Sequence, residues 1–173
     1  MYVMVDIESD GPIPGDYSMV SFGAVIVDEK LDKTFYSEAL APISKKYDEK
    51  ALAISGHKRD YLELYGLDPK NRLLAFEEWV QKSITKKPVF ISDNNGFDWS
   101  FINWYFHHFL GRNPFGYSSQ NLNSLYKGLQ RDYYASFKHL RKTRHTHHPV
   151  DDALGNAEAL WVMLQEFPKR KDK

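Results

Sequence analysis

Asp6 and Glu8 stand two residues apart in the opening stretch "MYVMVDIESDGP", directly behind an apolar run. Side chains alternate faces along a strand, so both carboxylates project from one face at its C-terminal end. Two like charges that close repel each other and are costly to desolvate unless a cation sits between them. A strand end reaching water would also account for the pair, and alone it is a weak signal. Asp98 is the second informative acid. It heads the helical stripe Asp98, Phe101, Ile102, Tyr105, Phe109, so its charge shares the face that packs on a sheet. An acid in a first helical turn complements the helix dipole, but that explains an exposed Asp better than one atop an apolar stripe. The third element is "HHPVDDA", where Asp151 and Asp152 occupy the first turn of a last helix, directly after His147 and His148.

Carboxylates converging at one sheet edge cannot all stay ionised without cations. Oxygen ligands with no thiolate among them select Mg²⁺ or Mn²⁺. Two such ions about 3.5–4 Å apart suit phosphodiester hydrolysis, and a neutral histidine nearby could take the proton of the attacking water. A zinc site built from His145, His147 and His148 is disfavoured, because three ligands that close in sequence have awkward geometry and no cysteine joins them.

The elements that must position these residues are legible from periodicity. Residues 2–7 read as a strand, and 18–28 and 33–43 as two more in a hairpin pattern across the polar turn "DEKLDK". Residues 48–56 form a short helix closed by Gly56. Asp68-Pro69 then starts a helix over about 70–85, with Leu73, Phe76, Val80 and Ile84 on one face. "PVFIS" (88–92) reads as a short buried strand, and 97–110 as a helix stopping at Gly111. The Asn-, Ser- and Gly-rich stretch 112–124 is loop with room for one strand. A basic segment, 138–148, leads to Pro149 and a final helix buried through Val150, Ala153, Leu154, Ala157, Leu160 and Leu164. Strands first and helices alternating afterwards predict an α/β fold, a mixed sheet of about five strands flanked by helices. One domain over 1–168 and a frayed basic tail, 169–173, complete the expected organisation.

Composition sets the outer bounds. The 173 residues are 42% apolar, 27% charged and 15% aromatic, with no cysteine and zero formal net charge. A global field toward nucleic acid or membrane is therefore absent, and any attraction must be local. Neither a signal peptide nor a span of roughly 18–20 apolar residues is apparent, which points to a soluble chain in a reducing, cytoplasmic setting without membrane contact.

The ordered trio of motifs resembles the DEDDh family of 3′–5′ exonucleases, over roughly residues 2–165. The family's D-x-E falls on Asp6 and Glu8, and its Asn-led segment closing on Phe-Asp corresponds to "NNGFD" with Asp98. Its H-x-A-x-x-D falls on His147 and Asp152, with Pro149 in place of Ala. "SMVSFGAVIVD" and "KALAISGH" are also similar to the family's second strand and following helix. The resemblance implies an RNase H-like fold and a metal-dependent 3′–5′ exonuclease. It is most similar to small exoribonuclease-like members that release nucleoside 5′-monophosphates from 3′ ends of single-stranded or overhanging nucleic acid. Asp6, Glu8 and Asp152 would hold one ion, Asp6 and Asp98 the second, and His147 would be the general base. A proofreading-like DNA exonuclease, an inert nucleic-acid-binding module and an endonuclease of the same fold class remain as alternatives.

Substrate contacts are read from residue type. Lys138, Arg141, Lys142 and Arg144 precede His147 and could hold phosphates. Ser9, Tyr17, Met19 and Trp99 are candidates for the terminal nucleotide, with Trp104 beside them, because aromatic faces stack on bases. RNA or DNA 3′ ends are the expected partners, and a homodimer is left open by the resemblance, with no interface legible.

Overall fold

The computed structural model describes residues 1–166, so the expected tail at 169–173 lies outside the described residues. Five strands form one sheet in the order β3-β2-β1-β4-β5: β1 Tyr2–Ser9, β2 Met19–Ile26, β3 Thr34–Ser37, β4 Val89–Ser92 and β5 Ser119–Asn121. β1, β2 and β3 pair antiparallel, while β4 runs parallel to both β1 and β5. Six α-helices accompany it: α1 Glu49–Ser55, α2 Arg59–Tyr65, α3 Pro69–Ser83, α4 Asn95–Leu110, α5 Leu122–Gln130 and α6 Pro149–Glu166. The mixed α/β sheet flanked by helices is the architecture the sequence predicts.

Alternation along β1 divides the core. Val3, Val5 and Ile7 face a cluster with Phe76 of α3 and Phe101, Ile102 and Tyr105 of α4. Met4 faces the opposite cluster, with Leu122, Ala153, Ala157 and Leu160. Asp6 and Glu8 continue the Met4 face, so they emerge on the α6 side of the sheet. Complete burial of β2 explains why its residues are apolar or glycine apart from Ser21, since helices cover both of its faces.

Three departures from the sequence reading have local causes. The strand expected over 33–43 ends at Ser37, and Ala39 adopts a positive φ of 34° before Leu40 bridges to Leu67. α2 was not predicted, and its seven residues bury only Leu62. α5 follows the loop-like Asn/Ser stretch because Asn121 caps it, accepting from the Ser124 N–H at 2.7 Å. Leu122, Leu125, Tyr126 and Leu129 then supply an apolar stripe. No helix among the described residues is long and apolar enough to cross a membrane.

Candidate active site

β4 stops at Ser92, paired only as far as Met4 of β1, so the later part of β1 has no β4 neighbour. The Asp98 carboxylate occupies that place: its Oδ1 accepts the Ile7 N–H at 3.4 Å. Its other oxygen, Oδ2, is buried without a hydrogen-bond partner. α6 reaches the same edge from the other face through a close backbone contact. Gly23 pairs with Asp6 across the β1–β2 ladder. A Cβ on Gly23 would fall 2.5 Å from the Val150 nitrogen and 2.6 Å from the Pro149 carbonyl carbon. Only glycine allows the start of α6 to lie directly on the sheet, which delivers Asp152 beside Asp6.

Asp6, Glu8 and Asp152 each bring an oxygen within 4.8 Å of one another, close enough to share a cation. Electrostatics record the crowding. Burial, then the charges of Asp98 and Asp93, hold the Asp6 carboxyl well above the ordinary carboxylate range. Glu8 is pushed up to about 7 by burial and by Asp152. Asp98 is pushed up to about 8 by burial and by Asp93, which the nearby Ser92 hydroxyl and the Ile7 N–H only partly offset.

Asp152 sits in a different environment. It is 1% exposed and ringed by donors: Thr146 N–H at 3.0 Å, His147 N–H at 3.0 Å and Arg141 Nη2 at 3.3 Å. His145 Nδ1 lies 2.8 Å from its Oδ2. The neighbouring Asp151 remains about half exposed and meets the Thr146 hydroxyl instead. His147 takes a left-handed backbone, φ 61°, and its Nδ1 lies 3.9 Å from Glu8 Oε1. His148 turns away against Tyr36, with ring centroids 4.7 Å apart. Of the adjacent pairs in "HHPVDDA", His147 and Asp152 are therefore the members that meet Glu8 and Asp6.

The loop carrying His147 is tied to α6. Glu158 accepts the Lys142 N–H at 2.7 Å, the Thr143 N–H at 2.8 Å and the Thr143 hydroxyl at 3.0 Å. Arg141 and the Thr143 carbonyl lie over Gly155, where a Cβ would approach to 2.5 and 2.7 Å. Two clefts flank the carboxylates. One, of about 370 Å³, runs between the end of β1 and α1 and includes Glu8, Ser9, Pro12, Ala51, Ile54 and Phe97. α1 is laid there by the Asp48 N–H, which donates to the Asp10 carbonyl at 2.7 Å. The other, of about 350 Å³, is lined by Asp93, Lys138, Arg141, Lys142, Arg144 and His145, with Thr143.

Several substrate candidates from the sequence lie elsewhere. Met19 is fully buried, and its N–H donates to the Tyr105 hydroxyl, so it cannot stack on a base. Tyr17 packs over Gly11, where a Cβ would fall 1.9 Å from its ring, and supports the β1–β2 turn. Trp99, partly buried, packs on Phe90 at the edge of the core, with centroids 4.9 Å apart, and Trp104 stacks on His108. Ser9 does reach the first cleft, although its hydroxyl donates to the Gly11 carbonyl, and Arg144 reaches the second. Arg141 is engaged by Asp152. Sequence reasoning passed over Asp93, Phe97 and Glu158. Asp93 and Phe97 had a signal in their position between β4 and Asp98; Glu158 had none, because its partners are 15 and 16 residues away.

No family model matches the chain. A curated relative, the 3′–5′ DNA exonuclease Cap18 of Escherichia coli, is 36% identical over 162 residues, covering 92% of this chain and 84% of the relative. Among solved structures, the nuclease domain of 3′hExo, a DEDDh family member bound to rAMP, superposes with a TM-score of 0.74 at 17% identity. The match covers 95% of this chain and 92% of that one. Cell-death related nuclease 4 (CRN-4) also gives 0.74, at 14% identity, over 95% of this chain and 64% of its own. E. coli exonuclease I in complex with a dA16 oligonucleotide gives 0.68 at 16% identity, and this chain spans 40% of its length. These structures share the RNase H-like fold, and the curated relative adds identity across most of both chains. With its three acidic motifs gathered at one sheet edge, the chain belongs to the DEDDh family of 3′–5′ exonucleases.

Proposed function

We propose that this chain removes nucleotides one at a time from single-stranded 3′ ends, RNA in the first reading, releasing nucleoside 5′-monophosphates. The observation that carries the reading is the convergence of Asp6, Glu8, Asp98 and Asp152, with His147 at its solvent side. The residues suit hard divalent cations: their donors are all carboxylate oxygens, three of the four are held above their ordinary range, and Asp98 Oδ2 lacks a partner. Asp6, Glu8 and Asp152 would hold one Mg²⁺ or Mn²⁺ and Asp6 and Asp98 a second. When bound, the pair supplies charge neutralisation at the phosphoryl oxygens and acidifies water.

His147, exposed on one side and facing Glu8 on the other, accepts the proton of the attacking water. The apolar cleft takes the terminal nucleoside, with Phe97 and Ile54 as its base-facing surface and Ser9 at its wall. Lys138, Lys142 and Arg144 hold phosphates of the strand leading away. DNA is the second reading, favoured by the DNA exonuclease activity in the name of the 36%-identical relative.

Matched 5′-labelled RNA and DNA oligonucleotides, single-stranded or with 3′ overhangs, test the reading. Incubated with Mg²⁺, with Mn²⁺ and with chelator, they should give stepwise shortening and mononucleotides only when metal is present. Internal cuts would point to an endonuclease. Binding without metal-dependent products would point to an inert module, and faster decay of DNA would reverse the substrate order.

A further inference from the structure

Asp152 belongs to two ligand groups at once. Toward the sheet it joins Asp6 and Glu8; toward the loop, one atom each of His145, His147 and Asp152 lie within 4.8 Å of one another. His145 Nδ1 is 2.8 Å from Asp152 Oδ2, and the two imidazole rings meet nearly edge-on, 4.4 Å between centroids and 69° between planes. The sequence argued against zinc on three clustered histidines. Folding replaces the third of them, His148, by a carboxylate from the next helix, and the geometric objection falls away.

The chemistry of this trio differs from that of the acidic set. Two imidazoles and one carboxylate are ligands for borderline ions such as Zn²⁺, whereas Mg²⁺ prefers oxygen alone. Tetrahedral zinc with ligands at about 2.0–2.1 Å places them roughly 3.3 Å apart. The His145–Asp152 separation is therefore within about half an ångström of what is needed. His145 and His147 side chains are 52% and 48% exposed, so an ion enters without opening the core. The cation competing for Asp152, Arg141, contacts its other oxygen, Oδ1. Asp6 and Glu8 behind the site add negative charge.

We infer that His145, His147 and Asp152 form a second cation site, selective for zinc-like ions, whose filling switches hydrolysis off. The inhibitory part rests on the proposed function, because the ion would take both the general base and a carboxylate of the acidic set. Calorimetric titration of the metal-free chain with Zn²⁺ alone tests the site without reference to activity. His145→Ala should weaken zinc binding by at least about 10- to 100-fold, the loss that removing even an outer partner of a metal site brings. Asp98→Asn, outside the trio, should retain it. In Mg²⁺-supported hydrolysis, the zinc concentration that halves the rate should rise by a similar factor in His145→Ala, each protein compared with its own zinc-free rate. A thermal melt shows whether the variant is folded, as expected for a half-exposed side chain. Equal zinc affinity in parent and His145→Ala, or loss of zinc in Asp98→Asn with retention in His145→Ala, would overturn the site. Zinc held through His145 by a chain inactive on every oligonucleotide would support the site and sink the exonuclease reading.

Discussion

At the scale of single residues, the acids of the cluster do not resist the same substitution in the same way. Asp98 is buried with one oxygen unpartnered and its carboxyl raised to about 8. Asp98→Asn should abolish metal-dependent turnover while raising the metal-free melting temperature at pH 8. The gain should be about 2–4 °C, corresponding to roughly 1 kcal/mol in a chain of this size. Asp152 is held by three donors, the Thr146 and His147 N–H groups and Arg141, so an amide there would set its own N–H₂ against them. Asp152→Asn should lower stability by about 1–3 kcal/mol, the cost of leaving buried donors unsatisfied. A melt in chelator that moved both variants the same way would refute this contrast.

The raised carboxyls also set the sign of the pH dependence. Asp6, Glu8 and Asp98 bind protons more tightly folded than unfolded. Their contribution to stability is complete below about pH 4. It is lost as pH rises through about 7 for Glu8 and about 8 for Asp98, and Asp6 adds a loss of the same sign. The metal-free chain should therefore melt lower at pH 8.5 than at pH 5.5, and Mg²⁺ should recover more stability at the higher pH. A flat profile in chelator would mean the acids are not crowded. His147→Ala should reduce kcat by about 10²- to 10⁴-fold, the usual range for a lost general base. It should leave calorimetric Mg²⁺ binding near that of the parent, and His148→Ala should be mild.

At the scale of elements, the site depends on how closely α6 lies on β2 and on how its preceding loop is tied down. Gly23→Ala places a methyl 2.5 Å from the Val150 nitrogen, so α6 must shift. Stability should fall by about 1–3 kcal/mol, as for other overpacked sites, and activity more steeply. Glu158 anchors the loop through three hydrogen bonds while lying outside the acidic cluster. Glu158→Ala should lower kcat, because His147, held at a positive φ, loses its support. Glu158→Gln should restore most of it, since one amide oxygen can accept the two N–H groups and its N–H₂ can donate to Thr143. Equal rates for the alanine and glutamine variants would show that the anchor does not position the histidine.

At the scale of the whole molecule, zero net charge means that, on the proposed function, strand binding would rest on the local group Lys138, Lys142 and Arg144. Removing one of them should reduce the salt slope of single-strand binding by about 0.7 per lost phosphate contact. Hydrolysis of a dinucleotide, which extends little beyond the scissile phosphate, should be nearly unchanged. An undiminished slope would place the strand elsewhere.

By itself the sequence determined the strand of Asp6 and Glu8, the helices beginning near Asp98 and Pro149, and the mixed sheet. Alternation, caps and apolar stripes are local properties, readable within one or two turns of chain. It could not separate Asp151 from Asp152 or His147 from His148 by residue type, and it did not reveal that Met19 is buried or that Trp99 packs on Phe90. Those outcomes depend on which face of an element meets which neighbour. Met19 is buried because helices cover both faces of β2. Asp152 is chosen over Asp151 because Gly23 lets the start of α6 lie on the sheet, where one turn of the helix presents one carboxylate to Asp6. Glu158 came to light only in the tertiary structure, since its partners lie 15 and 16 residues away on a separate loop that no local pattern joins to it.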